Sequence, residues 1–254
     1  MTMQMSNDFM DLKKIPNVGD QLNFGASESY KRLRTNIFFS LQDKEDGCGY
    51  AIGVTSSVRG EGKSTTSLNT AYALAESGKK VILLECDMRL PVLGNKLNID
   101  LEPGLSNFIV GLCKGEDAIR PSLIHRNLDV ILAGSIPPNP SELLGTKRFK
   151  NIIKVLEKSY DFVIIDLPPI SSVSDALVVA SEIDGMIVVV RQDVCTQSVL
   201  NDTMRQLNVI KEKIIGFVYN GATSEGKNYG KKYYKYGYGY ENSRSRKHFT
   251  PSKK

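Results

Sequence analysis

Cysteine is scarce in this 254-residue sequence, and its arrangement excludes two kinds of stabilising site. The four cysteines are widely separated and form no Cys-x-x-Cys pair: Cys48, Cys86, Cys113 and Cys195. Structural zinc sites and disulfide frameworks both need cysteines at short or regular spacing. We therefore expect neither kind of site and interpret the four residues as isolated thiols.

Long apolar runs are also absent. No stretch approaches the roughly 18 consecutive apolar residues of a membrane-spanning helix. The first residues, MTMQMSNDFMDLKK, lack the apolar core of a signal peptide. We therefore expect a cytoplasmic protein. With 41% apolar residues the chain can bury one large core, so a single globular domain is the expectation.

Net charge is nearly absent until residue 221. The whole chain carries +5, but residues 221–254 alone carry nine Lys or Arg against two Glu, a local charge of +7. The preceding part therefore carries −2. A basic segment after a nearly neutral body is typical of a solvated or interacting appendage, and an anionic lipid surface, a nucleic acid or phosphate would each suit it.

The basic segment contains the run KNYGKKYYKYGYGYENSRSRK over 227–247. Its glycines oppose a helix, and its lysines and lack of branched aliphatic residues oppose a buried strand. We therefore expect residues 223–254 to form a flexible, disordered tail that exposes six phenols: Tyr229, Tyr233, Tyr234, Tyr236, Tyr238 and Tyr240. Residues 1–27 have little periodicity and are expected to be loosely ordered, which leaves 28–222 as the folded domain.

The body alternates short apolar runs with helix-like segments. The runs over 50–56, 80–87, 128–134, 161–169, 185–191 and 214–221 are rich in branched residues and nearly continuous, as in strands buried on both faces. Amphipathic segments over 64–78, 141–160 and 198–213 lie between them. This alternation predicts an α/β fold with a mostly parallel sheet, flanked by helices on both faces, and with ligands at the carboxyl ends of the strands.

A phosphate-binding loop follows the first predicted strand. The sequence VTSSVRGEGKSTT, residues 54–66, is a Walker A motif in which Ser57 replaces the usual first glycine. In this motif glycines let backbone N–H groups wrap phosphates, and the following helix contributes its N-terminal dipole. The residues expected to contact a nucleotide here are Ser57, Gly60, Glu61, Gly62, Lys63, Ser64 and Thr65, with Lys63 at the β and γ phosphates and Ser64 on Mg²⁺.

Two further strand ends supply carboxylates to the same edge. VILLECDMR ends in Glu85 and Asp87, and FVIIDLPP, a Walker B pattern, ends in Asp166. An isolated acid after a strand is commonly a cap or turn residue. Next to a Walker A motif, these acids instead favour phosphoryl transfer, which needs Mg²⁺ and a carboxylate to orient or deprotonate the nucleophile.

Taken together, SSVRGEGKSTT, LLECDMRLP, IPPNPSELL, VIIDLPP and a tyrosine-rich terminus resemble the bacterial protein-tyrosine kinases of capsule and exopolysaccharide synthesis. The resemblance covers the chain from about Glu28 to the tail. The family's Asp-x-Asp-x-Arg motif is here Glu85-Cys86-Asp87-Met88-Arg89, with glutamate in place of the first aspartate. The family's Glu-x-x-Arg-x-x-Arg contact segment is matched by Glu28, Lys31 and Arg34, with lysine in place of the first arginine.

The resemblance implies an ATP- and Mg²⁺-dependent tyrosine autokinase that modifies the tyrosine tail between subunits. It implies catalytic roles for Lys63, Glu85, Asp87 and Asp166, metal ligation by Ser64, Asp87 and Asp166, and nucleotide contacts by Arg89. Asn220 matches a base-contacting position in related ATPases. The implied partners are a membrane-spanning activator at the inner face of the cell membrane, further copies of the chain in a ring, and a tyrosine phosphatase.

Two other classes of function stay open at this point. Deviant Walker ATPases of the partition and division-site type bind ATP and dimerise without kinase activity, but many carry a signature lysine at the position of Val58. A nucleic-acid-binding module would use the basic aromatic tail for backbone contact and stacking. It would leave three phosphate-site motifs without a role, so we expect no nucleic-acid partner.

Overall fold

The computed structural model describes residues 12–42, 44, 47–208 and 213–222. Residues through Asn220 belong to one compact unit, and of the second unit, 221–254, only the first two residues are described. The described part contains a seven-stranded sheet with the strands β1 Tyr50–Ser56, β2 Val81–Glu85, β3 Arg120–Pro121, β4 Leu128–Ile131, β5 Phe162–Asp166, β6 Gly185–Arg191 and β7 Ile214–Asn220.

The sheet has the order β3-β4-β2-β5-β1-β6-β7, and every neighbouring pair is parallel except β3 with β4. The six predicted strands are confirmed, although the structure ends most of them one to three residues early. The two-residue antiparallel strand β3 was not predicted, because a pair of residues carries no periodicity. Parallel strands place all carboxyl ends at one edge, the carboxyl edge, and all amino ends at the opposite, amino edge.

Helices cover both faces of the sheet. Their bounds are α1 Phe24–Ser40, α2 Lys63–Glu76, α3 Leu93–Leu97, α4 Leu105–Val110, α5 Gly115–Ala118, α6 Pro140–Leu144, α7 Lys147–Ser159, α8 Asp175–Ala180 and α9 Gln197–Leu207. Alternate residues of one strand serve the two faces: Ile82 packs in the core with Phe149 of α7, and Leu83 packs in the core with Leu68 of α2. This alternation explains why the strands are apolar throughout.

The helix predicted over 141–160 is two helices. α6 ends at Leu144, and Thr146 begins α7 by accepting a hydrogen bond from the Phe149 N–H at 3.2 Å. A threonine that satisfies an N–H at a helix start is a normal N-cap. The Gly145-Thr146 pair is therefore a helix boundary within an otherwise continuous amphipathic pattern.

The residues before α1 pack against α2. Val18 is buried, and the Gly19 N–H donates to the Asn69 side chain at 2.9 Å. A short 3-10 helix, Gly19–Gln21, follows, and α1 begins at Phe24, four residues before position 28. Of residues 1–27, those from position 12 onward are described. Within this part, Val18 and Gly19 pack against the domain.

Charged side chains at the amino edge form ion pairs with one another. The Lys44 ammonium lies 2.8 Å from carboxylate oxygens of both Glu157 and Asp184. Asp184 also accepts a hydrogen bond from the Ala51 N–H at 2.7 Å. A cavity of about 630 Å³ lies beside these ion pairs, lined in part by Lys44 and Glu157.

Candidate nucleotide site

The loop between β1 and α2 has the backbone of a phosphate-binding loop. Gly60 and Gly62 have φ of +83° and +93°, values that favour glycine. A Cβ on Gly62 would lie 2.2 Å from the Asn220 side-chain nitrogen, so a side chain at position 62 would require Asn220 to move. α2 begins directly afterwards at Lys63, which places its first N–H groups at this loop.

Two residues predicted to contact nucleotide, Glu61 and Asn220, form hydrogen bonds that hold the loop. Glu61 is fully buried, and its carboxylate accepts hydrogen bonds from the N–H groups of Val58 (2.8 Å) and Arg191 (3.1 Å). Asn220 donates its side-chain N–H to the Glu61 carbonyl at 2.8 Å, and the Arg191 guanidinium donates to the Gly60 carbonyl at 3.0 Å. The ends of β6 and β7 therefore hold the loop in shape.

Lys63 lies between two of the predicted carboxylates. Its ammonium is 2.8 Å from an oxygen of Asp87 and 3.8 Å from an oxygen of Asp166. Burial pushes the pKa of Lys63 down, but the nearby carboxylates of Asp166 and Asp87 outweigh it and raise the pKa. The lysine is therefore fully charged at neutral pH. It lies at the first residue of α2, directly after the loop.

Asp166 is fully buried, and its carboxylate is only half satisfied. One oxygen accepts from the Ser67 hydroxyl at 3.0 Å, while the other has no hydrogen-bond partner among the described residues. Burial raises the pKa of Asp166, and the Lys63 charge and serine hydrogen bonds oppose that rise in part. A buried carboxylate oxygen without a donor costs free energy unless a cation or donor joins it.

Glu85, which is predicted to be catalytic, forms hydrogen bonds with backbone N–H groups. It is fully buried: one carboxylate oxygen accepts from the N–H groups of Val92 and Leu93 at 2.6 Å each, and the other accepts from the Ala133 N–H at 3.2 Å. Burial raises the pKa of Glu85, and these hydrogen bonds partly counter it. Both oxygens therefore face the backbone of the protein.

Arg89, which is also predicted to contact nucleotide, forms an ion pair with a buried carboxylate. Its guanidinium pairs with the fully buried Asp175 at 3.1 Å and contacts the Ser141 hydroxyl at 3.3 Å. The Ser141 hydroxyl bonds to Asp175 as well. Sequence reasoning missed Asp175, since its partner lies 86 positions earlier and no local pattern signals it.

A cavity of about 480 Å³ opens at the carboxyl edge. It brings together six of the predicted site residues, Gly60, Gly62, Lys63, Ser64, Thr65 and Asp87. Five residues that were not predicted complete its lining, Arg59, Leu90, Val92, Asn95 and Lys96. Six further residues predicted for the nucleotide site are not part of this lining: Ser57, Glu61, Glu85, Arg89, Asp166 and Asn220.

The donor set fits Mg²⁺ accompanied by nucleotide phosphates. The described residues contain no group of three or more His, Cys, Asp or Glu side chains that could hold a metal alone. Mg²⁺ commonly takes one or two carboxylates and completes its shell with phosphate oxygens and water. Asp87, Asp166 and the Ser64 hydroxyl, which is 3.2 Å from the Lys63 ammonium, meet that requirement.

The predicted contact residues lie on α1. Glu28 and Lys31 pair with each other at 2.9 Å, and both side chains are 40% exposed. Arg34 is less exposed and donates to the Ala73 carbonyl at 2.7 Å, which ties α1 to α2. The six predicted substrate tyrosines lie outside the described residues.

The fold and the site define a P-loop nucleotide-binding protein with a Walker A loop, two carboxylates at its lysine and a mostly parallel sheet. Residues 50–217 match the family model described as AAA domain. The chain belongs to the bacterial protein-tyrosine kinase family. It is 35% identical to the tyrosine-protein kinase YwqD of Bacillus subtilis (strain 168) over 195 residues, which are 77% of this chain and 81% of that protein.

Solved structures agree with this assignment. The kinase domain of the Escherichia coli tyrosine kinase ETK superposes with a TM-score of 0.77 at 28% identity, covering 94% of this chain and 89% of that chain. The septum site-determining protein MinD of Pyrococcus horikoshii, complexed with Mg-ADP, has a TM-score of 0.58 at 27% identity, over 69% of this chain and 72% of that chain. The expected fold class is thereby confirmed. No helix in the described part of the chain is long and apolar enough to cross a membrane.

Proposed function

We propose that this chain is an ATP- and Mg²⁺-dependent protein-tyrosine autokinase that phosphorylates the tyrosine cluster of a neighbouring copy. Two observations together carry the proposal. Lys63, Ser64 and Asp87 line one cavity, and the sequence places six tyrosines between residues 229 and 240. Membership of a tyrosine kinase family supports it.

The reaction follows from the charges at the cavity. A tyrosine phenol oxygen forms a bond to the γ-phosphorus of ATP, and the bond from that phosphorus to the β,γ-bridging oxygen breaks. ADP leaves with the electron pair, and the phenol proton passes to the Asp87 carboxylate, which is part of the cavity lining. Lys63 would stabilise the negative charge on the transferred group. Mg²⁺ held by Ser64, Asp87 and Asp166 would neutralise phosphate charge.

The biological role proposed is control of capsular or exopolysaccharide polymerisation and export. A membrane-spanning chain-length regulator would act as activator and hold the enzyme at the inner face of the cell membrane. A tyrosine phosphatase would reverse the modification. We propose 28–222 as the kinase domain and 223–254 as the substrate tail.

The test is incubation of the full chain with ATP and Mg²⁺, with and without the activator's cytoplasmic segment, followed by mass spectrometric mapping of phosphotyrosine. We expect phosphate on residues among Tyr229–Tyr240, and more of it with the activator. ATP hydrolysis without any phosphotyrosine would instead support the alternative, an ATPase switch of the partition or division-site type. The structural likeness to MinD favours that alternative, and Val58 in place of a signature lysine opposes it.

We propose that the chain assembles into a ring through the α1 face that carries Glu28, Lys31 and Arg34. Arg34 also holds α1 on α2, so Glu28→Lys is the cleaner test because Glu28 pairs with Lys31 on its own helix. We expect Glu28→Lys to yield monomers by light scattering and to slow phosphorylation between copies. The exposed Asp202→Lys on α9 serves as the control for charge change. An unchanged oligomer in Glu28→Lys would discard this interface.

A further inference from the structure

Two apolar side chains line the nucleotide cavity without a packing reason. Leu90 and Val92 are 45% and 37% exposed, and they lie in the same cavity lining as Lys63 and Asp87. Their neighbours Met88 and Leu93 are fully buried. The segment 88–93 therefore divides its apolar side chains between the core and the cavity.

Three carboxylates hold this segment in place. Asp87 accepts from the Leu90 N–H at 3.3 Å, and Glu85 accepts from the N–H groups of Val92 and Leu93. Arg89, between them, is fixed to the buried Asp175. Three backbone N–H groups and one side chain of this segment are therefore held, which presents the Leu90 and Val92 side chains in a fixed position.

The chemistry of a tyrosine acceptor matches this surface. A phenol needs an apolar wall for its ring and a polar region for its hydroxyl, and burial of the ring against aliphatic side chains is favourable. Leu90 and Val92 line the cavity together with Asp87 and Lys63. A serine hydroxyl has no ring to place on such a wall, so the wall would discriminate between the two acceptors.

We propose that Leu90 and Val92 form the surface that binds the acceptor tyrosine ring, and that Glu85 is a positioning residue that holds this surface against the cavity. The inference rests on the proposed kinase function and assigns its acceptor subsite. It also explains why position 85 is a glutamate and not an aspartate. The glutamate side chain is one methylene longer and reaches the backbone N–H groups of Val92 and Leu93.

The test uses the full chain with its six tail tyrosines replaced by alanine as the enzyme, so that its own tail carries no aromatic ring at these positions. The acceptor is a peptide of residues 227–241 that keeps Tyr236 and has alanine at the other five tyrosines. In Leu90→Ser and Val92→Ser we expect the KM for this peptide to rise about tenfold each. Affinity for ATP, measured by calorimetry, should stay within about twofold. Leu112→Ser is the matched control, because Leu112 is exposed and lies outside the cavity lining.

A second peptide with phenylalanine at position 236 separates this inference from the kinase proposal. Calorimetric titration should show that it binds the ADP-loaded enzyme, and that Leu90→Ser and Val92→Ser weaken the binding about tenfold each. That result would support the surface even if no phosphotyrosine forms in any enzyme. Absence of binding, equal binding by all variants, or a loss of ATP affinity in place of peptide affinity would each overturn the inference.

Glu85 requires its own readout. In Glu85→Gln we expect a rise of several-fold in the KM for the Tyr236 peptide, with the pH profile of kcat unchanged, because the amide cannot accept all three backbone N–H groups. Glu85→Asp should lie between this variant and the wild type. A collapse of kcat with a shifted pH profile and an unchanged KM would show instead that Glu85 takes the phenol proton.

Discussion

Charged side chains lie at both edges of the sheet, but the two edges differ in how far these charges are paired with one another. At the amino edge, Lys44 joins Glu157 and Asp184 within 2.8 Å, and Asp184 accepts a backbone N–H in addition. At the carboxyl edge, Asp166 is fully buried with one oxygen that has no partner in the described part of the chain.

The pairing of charges is a better guide than cavity volume to which edge is functional and which is structural. The cavity at the amino edge is larger, about 630 Å³ against about 480 Å³. Its charges already satisfy one another, whereas those at the carboxyl edge are arranged for a ligand that brings its own charge. We therefore expect mutations at the carboxyl edge to remove activity and mutations at the amino edge to remove stability.

The largest effect should come from exchanging one lysine at each edge. Lys63→Met should lower the rate of phosphorylation by about 10³-fold or more, because a charge aimed at the transferred group is lost. Lys44→Met should leave the rate per folded molecule unchanged. It should lower the free energy of unfolding by about 1–3 kcal/mol, since the Lys44 pairs are partly exposed. Phosphotyrosine blotting and urea denaturation measure the two effects. A kinase-inactive Lys44→Met would contradict the expectation that the amino edge serves stability alone.

A smaller pair of changes removes one carboxylate at each edge. Asp166→Asn should lower phosphorylation by about 10²-fold and raise the free energy of unfolding of the unliganded protein by about 1 kcal/mol, because a buried, half-satisfied charge disappears. Asp184→Asn should instead cost about 1–2 kcal/mol. If urea denaturation shows that Asp166→Asn lowers the free energy of unfolding as much as Asp184→Asn does, the half-satisfied Asp166 charge does not destabilise the unliganded protein.

The stability difference for Asp166→Asn should depend on pH. The pKa of Asp166 is raised in the folded protein, so the folded state binds more protons than the unfolded state between the ordinary and the raised pKa. Wild-type stability from this group therefore falls as pH rises through that window. The advantage of Asp166→Asn should be largest near pH 8 and shrink toward about pH 4, the ordinary carboxyl pKa. Urea denaturation at several pH values measures it, with Asp184→Asn as the comparison.

The smallest effect is expected for a hydroxyl at the amino edge. Tyr160 donates its hydroxyl to an Asp129 carboxylate oxygen at 2.8 Å. Tyr160→Phe keeps the ring and should cost only about 1 kcal/mol. Phosphorylation of the folded enzyme should equal that of the wild type in the same blotting assay. A loss of activity would mean that the amino edge influences catalysis.

The sequence predicted the strands, the phosphate loop and the acids at the strand ends, because these depend on local periodicity and residue type. It did not predict where each side chain turns. Glu85 bonds to Val92, Leu93 and Ala133, and Lys44 joins Glu157 and Asp184 from 113 and 140 positions away. Such pairings depend on how strands are ordered in the sheet, which no short pattern encodes.

The hydrogen bond between Asn220 and the Glu61 carbonyl fixes the last residue of β7 to the phosphate loop. The number of residues beyond Asn220 then limits how far each tyrosine can lie from this point. Tyr229 is nine residues beyond Asn220, and Tyr240 is twenty. At about 3.4 Å per residue the maximum reaches are roughly 30 Å and 70 Å. These limits follow the order of the tyrosines in the sequence, so each tyrosine, a substrate under the proposed function, has its own greatest distance from this fixed point.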